Sequence, residues 1–434
     1  MAEVTPFRGI RYAASIALDD VVAPPYDVIP AAQAAELRER SPHNAVHLDL
    51  PVAPGEAADD AAYARSAAAF AQWRSGGILV REAAPSLYLV DQTYNGPDGR
   101  ERTRRGFVAR LRLADFAEGI VRPHERTHAN AKLDRLRLYR ATHADLSQIF
   151  LLFPDDDAKV GEALAAAASA SPEATARAAR DGDGNLHRIV ALAGPEARRV
   201  VALLHGRPLY IADGHHRYET ALAYRDERRR AGDHSADTLM VYLCSMSDPG
   251  LAVFPTHRLV GGVDVPPLAE LLERLRPYFA VVGTPAQNPQ ACREILDTLG
   301  EQADPGEVFG LYLAREKACI TLRAREPEAT RRLVASGISP AAAGLSVTLL
   351  HELIFRESLG MDSGGAEKHI AYAQSVPDAL AELASGRYEL GAFLNATLVS
   401  QVRAIADRGE TMPQKSTYFY PKLLTGLVFD ALEG

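Results

Sequence analysis

The chain has 434 residues, of which 47% are hydrophobic and 24% are charged. This length and composition are typical of a globular protein with a large core, and they exclude a disordered chain, a collagen-like chain and a small disulfide scaffold. Forty-eight basic residues against fifty-six acidic ones give a net charge of −8, so we do not expect direct nucleic-acid binding, which usually requires a basic surface.

The cysteines and the N-terminus predict a cytoplasmic protein. Cys244, Cys292 and Cys319 are widely spaced and odd in number, which fits a reducing compartment without a disulfide framework. The first twenty residues lack the basic start and apolar run of a signal peptide, and no apolar stretch is long enough to span a bilayer.

In chain order, the first half alternates proline- and glycine-rich turns with short apolar runs. Pro24-Pro25 fixes an extended backbone, and Asn95-Gly96 marks a hairpin turn. Apolar periodicity predicts helices at residues 31–38, 61–73, 132–141, 160–180 and 218–230. Strands are predicted at 87–90, 105–111, 149–153, 209–212, 240–244 and 251–254.

After about Gly262, strand and helix predictions alternate more regularly. Strands are predicted at 279–282, 308–313, 318–322, 369–373, 390–395 and 426–429, with helices at 268–275, 291–299, 345–357 and 397–408. We predict an α+β (mixed α/β) fold. Its N-terminal region would span 1–262 and its C-terminal region 263–434.

The strongest functional signal follows the strand predicted at 209–212. It reads Asp213-Gly214-His215-His216-Arg217. The N–H groups and dipole of a helix start attract anions, Gly214 allows a ligand close to the backbone, and Arg217 adds donors suited to phosphate. The alternative is that Asp213 caps the helix and the histidines are exposed. The strand–turn–helix setting favours a phosphate-binding turn.

A second polar segment contains His124 and Glu125, followed by His128. Glu125 could act as general base or magnesium ligand. The two histidines formally satisfy the spacing of a zinc protease motif, but the surrounding sequence is polar and loop-like, so we do not expect zinc there.

A third segment, at 412–423, combines lysines, hydroxyl residues and aromatics between prolines. Lys415-Ser416-Thr417 is similar to the end of a P-loop, but the preceding glycines are absent, which excludes a Walker-type loop. Two interpretations stay open, a ligand-binding loop and an aromatic clamp that ties the C-terminus to the core. We expect residues 411–426 to return to the site.

Two further segments supply side chains of interest. Pro24-Pro25 presents Tyr26 and Asp27, as a binding turn or as structural punctuation. His257 and Arg258 form another His-Arg pair directly after a predicted strand.

Five segments together resemble a widespread prokaryotic family, the domain of unknown function 1015: residues 7–12, 24–29, 124–125, 212–221 and 414–426. The resemblance spans nearly the whole chain in the same order. Members of this family often neighbour serine-biosynthesis genes, which implies serine or phosphoserine chemistry.

A local resemblance is carried by Gly214-His215-His216-Arg217-Tyr218 with Ala221. This run is similar to a turn of sulfiredoxins, ParB-like proteins and free-serine kinases. The resemblance implies a ParB/sulfiredoxin-like core whose turn opens a helix and holds nucleotide phosphates through His215, His216 and Arg217. A carboxylate elsewhere would serve as base, and Glu125 is chosen for it on chemical grounds. His215 occupies the place of the sulfiredoxin cysteine, so sulfinic-acid reduction is not expected.

The leading hypothesis is a nucleotide-dependent phosphotransferase acting on a small hydroxylated metabolite such as serine, with Mg²⁺ and a nucleoside di- or triphosphate as cofactors. Expected catalytic residues are Glu125, His124, His215 and Asp213, with Glu125 and Asp213 also as metal ligands. Expected phosphate-binding residues are Gly214, His216, Arg217, Lys415, Ser416, Thr417 and Arg105. Expected substrate-binding residues are Tyr26, Asp27, Arg135 and Lys422.

Two alternatives use the same cations. A phosphohydrolase, acting for example on phosphoserine, would replace the acceptor hydroxyl with water. A non-catalytic nucleotide-sensing switch of ParB type would bind nucleotide without turnover, and it would favour a homodimer.

Overall fold

The computed structural model describes residues 1–56, 58–96, 99–125, 129–170, 176–286, 289–299, 308–361 and 366–433. The chain divides into two compact units. The first comprises Met1–Pro123, Thr127–Ala252 and Pro421–Gly434, and the second comprises His124–Arg126 and Val253–Tyr420. The end of the chain therefore belongs to the unit that its first half forms. The regions 1–262 and 263–434 stay a prediction.

A mixed sheet lies at the centre of the first unit, with nine strands in the part of the chain that the structure describes. Eight of them follow one another in the order Val121–Arg122, Leu209–Asp213, Ile149–Phe153, Thr238–Ser245, Glu101–Arg112, Ser86–Asn95, Leu186–Ala193 and Arg177–Arg180. The ninth, Val4–Thr5, pairs with Glu101–Arg112. Two-stranded sheets join Ile10–Tyr12 to Leu79–Arg81 and Ala144–Asp145 to Asp430–Ala431.

The strand Ile149–Phe153 is apolar along its whole length because helices cover the sheet. All five residues of Ile149–Phe153 are buried, which is typical of a strand covered on both faces. The α-helices of this unit are Leu18–Val21, Ala31–Arg40, Val46–Asp49, Asp60–Ser75, Ala129–Thr142, Lys159–Ala170, Gly194–Leu204 and His215–Arg230. Tyr26–Val28 and Phe116–Glu118 are short 3-10 turns.

The second unit is built on an antiparallel sheet. Its strands follow one another in the order Phe279–Ala286, Ala318–Ala324, Val308–Leu313, Leu390–Leu394, His257–Val260 and Ile370–Ala373. Ala252–Phe254 pairs with Tyr418–Tyr420 in a separate two-stranded sheet. The α-helices are Leu268–Leu275, Pro289–Asp297, Glu328–Ala335, Pro340–Ala343, Ser346–Leu349, Ala366–His369, Val376–Ala384 and Val399–Asp407, and Leu350–Ser358 is a π-helix.

The predicted mixed α/β class is confirmed, and three element predictions need correction. The strand predicted at 426–429 is a turn that ends in an isolated bridge at Phe429, and the strand itself is Asp430–Ala431. The alanine-rich helix predicted at 160–180 ends at Ala170, because Arg177–Arg180 pairs as a strand with Leu186–Ala193. Tertiary pairing overrides alanine's helix propensity there. The helix predicted at 345–357 changes to π-helical geometry at Leu350. No helix among the described residues is both long and apolar enough to cross a membrane.

Candidate functional site

The residues predicted for the site divide between the two units. The first unit contains Tyr26, Asp27, Arg105, Arg135, Asp213, Gly214, His215, His216, Arg217 and Lys422. The second contains His124, Glu125, Lys415, Ser416 and Thr417. That both groups act on one ligand stays a prediction, and His128 lies outside the described residues.

The turn at Gly214 has the strand–turn–helix geometry that the sequence predicts. The helix begins at His215, three residues before the predicted start, and its N-cap is Gly214 rather than Asp213. Gly214 has φ 95°, a left-handed conformation that favours glycine. A Cβ there would lie 3.1 Å from Nη2 of Arg217. Glycine is therefore required for its backbone conformation and for the close approach of the guanidinium.

Asp213 joins two cations at this turn. Arg217 donates from Nη2 to Oδ2 of Asp213 at 2.9 Å, and Lys422 donates from Nζ to Oδ1 at 2.7 Å. Arg217 also donates from Nη1 to the carbonyl of Gln148 at 2.7 Å. Each carboxylate oxygen thus accepts from a different cation, and the three side chains together carry one net positive charge.

Arg135 forms a second buried cationic group in the same unit. Its Nη1 donates to the carbonyl and to Oδ1 of Asp49 at 2.7 and 3.0 Å, and its Nη2 lies 2.6 Å from Oδ2 of Asp134. Its guanidinium carbon is 3.7 Å from the ring centroid of Tyr26. Burial, opposed by the nearby Arg135 charge, raises the pKa of Tyr26 to about 12, so the phenol keeps its proton and can donate a hydrogen bond.

A cavity connects the two cationic groups. It is small, and Asp49, Arg135 and Arg217 are among the residues that line it. Burial alone would lower the pKa of Arg217, but the carboxylates of Asp213 and Asp27 raise it, so this guanidinium stays charged. Asp27, exposed on the turn Tyr26–Val28, is therefore electrostatically coupled to the cluster.

The segment that carries Lys422 is held by its main chain. Arg104, fully buried, donates to the carbonyl of Pro421 at 2.5 Å, and Gln92 donates to the carbonyl of Lys422 at 3.1 Å. Gln148 donates to the carbonyl of Leu424 at 3.1 Å. Arg104 also donates to Oε1 of Gln92. Sequence reasoning missed Arg104, Gln92 and Gln148, because no local pattern relates them to the C-terminus.

The remaining predicted residues of the first unit have different environments. His215 is buried in the first helical turn and His216 is half-buried beside it, with its carbonyl accepting from Thr220 at 2.7 Å. Arg105 forms a bidentate ion pair with Asp91 at 2.7 and 2.8 Å, between neighbouring strands. The hydrogen bonds from Arg105 to Asp91 raise the pKa of Arg105, which fits a structural cation.

In the second unit, the segment at His124 contacts the loop that contains Lys415. His124 accepts from the N–H of Met412 at 2.8 Å through its carbonyl, and its Nε2 lies 3.1 Å from Oγ1 of Thr417. Thr397 donates to the carbonyl of Ser416 at 2.7 Å. Lys415 is exposed at the loop tip with φ 54°, a left-handed conformation rare for a lysine. The structure thus brings together two distant segments that the sequence singles out.

The family model described as Protein of unknown function (DUF1015) matches residues 4–346. The chain belongs to the DUF1015 family. The resemblance inferred from its sequence motifs is therefore confirmed. No curated protein matches this DUF1015 chain.

Solved structures similar to this DUF1015 chain include three with low identity. A free serine kinase in complex with AMP is 15% identical, with 72% of this chain and 88% of that chain covered and a TM-score of 0.35. A conserved hypothetical protein from Pyrococcus furiosus is 14% identical, with 69% and 87% covered and a TM-score of 0.32. SbnI with a C-terminal truncation, from Staphylococcus aureus, is 11% identical, with 72% and 84% covered and a TM-score of 0.34.

Metal binding was expected at Glu125 and Asp213. The described ranges contain no group of three His, Cys, Asp or Glu side chains arranged to hold a metal ion. Both oxygens of Asp213 accept from cations, which disfavours a further positive ion there. The described side chains alone do not fit a protein-held Mg²⁺ site, and Mg²⁺ stays a prediction.

Proposed function

We propose that this DUF1015 protein is a nucleotide-dependent phosphotransferase that acts on a small hydroxylated metabolite, with serine as the first acceptor to test. The proposal is carried by one observation: Lys422 and Arg217 converge on opposite oxygens of Asp213 at the start of a helix. Phosphoryl transfer depends mainly on fixed cations around the phosphate oxygens, so this arrangement supports that class of reaction.

The two cations differ in how they would serve a phosphate. Arg217 is buried and donates to Asp213 and Gln148, so its position is fixed before any ligand binds. Lys422 is a compact charge on a flexible side chain, with 15% of that side chain exposed. A phosphate oxygen can therefore share Lys422 with Asp213. The adjacent helix start adds partial positive charge.

The acceptor hydroxyl requires a carboxylate that a substrate can reach. Asp27 is exposed, and its charge acts on Arg217 and on Tyr26. We propose that Asp27 orients the acceptor hydroxyl and accepts its proton. Glu125, chosen for this role from sequence chemistry, belongs to the other unit, and its role stays a prediction.

Arg135 lines the cavity and lies against the ring of Tyr26, so these two residues would form the substrate side of the site. The protonated phenol of Tyr26 is available as a donor to a polar metabolite. Arg135 already donates to Asp49 and Asp134, and its guanidinium lies against the Tyr26 ring. Arg135 would thus position Tyr26, while Tyr26 contacts the substrate.

The test is product analysis by phosphorus NMR with ATP, Mg²⁺ and serine, comparing the full chain with Lys422→Met. Arg112→Met is the matched control, because Arg112 is an exposed partner of Glu3 on the sheet that also contains Asp213. Nucleotide-dependent phosphoserine formation that falls in Lys422→Met and persists in Arg112→Met supports the proposal. Phosphoserine hydrolysis without nucleotide would instead support a phosphohydrolase, and ATP binding without turnover would support a sensing switch.

A further inference from the structure

Arg258 of the second unit is a buried cation. It is 1% exposed, and it takes part in none of the ion pairs found between described residues. Its Nη1 donates to the carbonyl of Thr256, and its Nη2 donates to the carbonyl of Lys415 at 3.0 Å. Its Nε is buried without a hydrogen-bond partner. A buried charge that lacks an anionic partner is costly, so this position is suited to an anion from outside the chain.

Two more buried groups in the same unit lack partners. Nε2 of His351 is buried without a partner, as is Oγ1 of Thr348, one helical turn earlier. Val260 lies on the same strand face as Arg258 and packs in one core cluster with Leu349 and Leu350, so the helical segment that carries Thr348 and His351 covers that face of the sheet. Burial and the charge of Arg258 lower the pKa of His351 to about 3, so its imidazole is neutral. A neutral imidazole with its proton on Nε2 is a donor, and so is the threonine hydroxyl.

We propose that Arg258, His351 and Thr348 form a binding site for a small oxyanion, a phosphate or a carboxylate group. The three side chains offer N–H and O–H donors, which is the chemistry that an oxyanion requires. The carboxylate of Glu125 also acts on Arg258 through its charge. This site belongs to the second unit and the cluster at Asp213 to the first, and the proposal does not depend on the proposed phosphotransfer.

The loop at residues 413–417 contacts the site at Arg258. Its carbonyls at Gln414 and Lys415 accept from Arg258, and Lys415 has the left-handed φ of 54°. A non-glycine residue in that conformation is strained and persists only where its surroundings hold it. The anion would enter when these carbonyls release Arg258, so Arg258 links the loop to the occupancy of the site.

The test measures thermal stabilisation of the full chain by inorganic phosphate and by acetate, relative to chloride at equal ionic strength. His351→Phe and Thr348→Val each remove one unpartnered donor and keep the side chain's shape. We expect both variants to fold at least as stably as wild type without anion and to bind the stabilising anion about tenfold more weakly. Thr330→Val is the matched control. Thr330 lies on the helix Glu328–Ala335 of the same unit, is partly exposed and donates to Glu326.

The two anions identify the group that the site accepts. Stabilisation by phosphate alone supports a phosphate ligand, and stabilisation by acetate supports a carboxylate ligand. No shift relative to chloride overturns the proposal, as does an equal shift in wild type, His351→Phe and Thr348→Val. A phosphate shift that survives in those variants but disappears in Lys422→Met would assign the anion to the first unit and reject this site.

Discussion

Lys422 donates a 2.7 Å hydrogen bond to Asp213, a residue 209 positions earlier in the chain. This contact brings a cation from the C-terminal segment to the helix start that carries Arg217. Neither the turn nor the C-terminal segment forms the cluster alone. The last residues of the chain are thus part of the candidate site as well as of the fold.

A double-mutant cycle measures this contact directly. Asp213→Asn and Lys422→Met should each lower the free energy of unfolding, and the double variant should lose less than the sum of the two. We expect a coupling of about 1 kcal/mol, because both side chains are mostly shielded from solvent. Denaturant unfolding of the four proteins gives the value, and additive effects would show that the two residues do not interact.

Gly214→Ala tests whether the turn requires glycine. The substitution forces a Cβ into a left-handed conformation and places it 3.1 Å from Arg217. Gly232→Ala, after the same helix, is the control, because Gly232 has φ 78° but a Cβ there would meet no atom within 4 Å. In both variants the strained backbone conformation should lower the free energy of unfolding by about 1 kcal/mol. Gly214→Ala should lower it further, because its Cβ also meets Arg217. An equal loss of unfolding free energy in the two variants would mean that the close approach of Arg217 adds no further destabilisation.

Arg104→Lys tests how the Lys422 segment is held. Lysine cannot reproduce the simultaneous hydrogen bonds to Gln92 and to the Pro421 carbonyl. We expect faster amide hydrogen exchange over residues 422–425, while strands remote from Arg104 keep their protection. Arg112→Lys, at an exposed site on the same strand, is the control. Unchanged exchange over 422–425 would contradict the positioning role of Arg104.

We predict that the free energy of unfolding depends on pH because of the buried Asp145. Burial and the facing Asp430 raise the pKa of Asp145 from 3.8 to about 7. The folded chain therefore keeps a proton that the unfolded chain has lost, and the free energy of unfolding falls as pH rises through that interval. Asp145→Asn mimics the protonated form and should reduce this slope.

The control for that measurement is Asp20→Asn, at an exposed aspartate of the same unit. Unfolding curves at several pH values between 4 and 7 give the slopes, in the interval set by the shifted pKa of Asp145. A slope unchanged by Asp145→Asn but altered by Asp20→Asn would assign the dependence to surface charge.

The sequence predicted those elements whose signals are local. Ile149–Phe153 is a continuous apolar run, and the turn at Gly214 is marked by glycine between a strand and a helix. The strand Arg177–Arg180 was missed, because only its pairing with Leu186–Ala193 distinguishes it from the preceding alanine-rich helix. Local propensity carries no information about such a partner.

For the candidate site, the chemistry of single residues was predictable from the sequence, but the contacts between them were not. Arg217, Asp213 and Lys422 were singled out for their chemistry, but their contact depends on the main-chain bonds that Arg104 and Gln92 make to the C-terminal segment. Arg105 has the same chemistry as Arg217, yet strand pairing places it beside Asp91. Residue type therefore indicated phosphate chemistry, while the fold decided which cations converge.

Calorimetric titration of ATP into the full chain and into Lys422→Met tests the central claim most directly. If Lys422 and Arg217 hold phosphate at Asp213, wild type binds ATP and the variant binds it about tenfold more weakly or worse, with Arg112→Met unchanged. Equal affinity in wild type and Lys422→Met, or no binding by either, would contradict the phosphate role of this cluster.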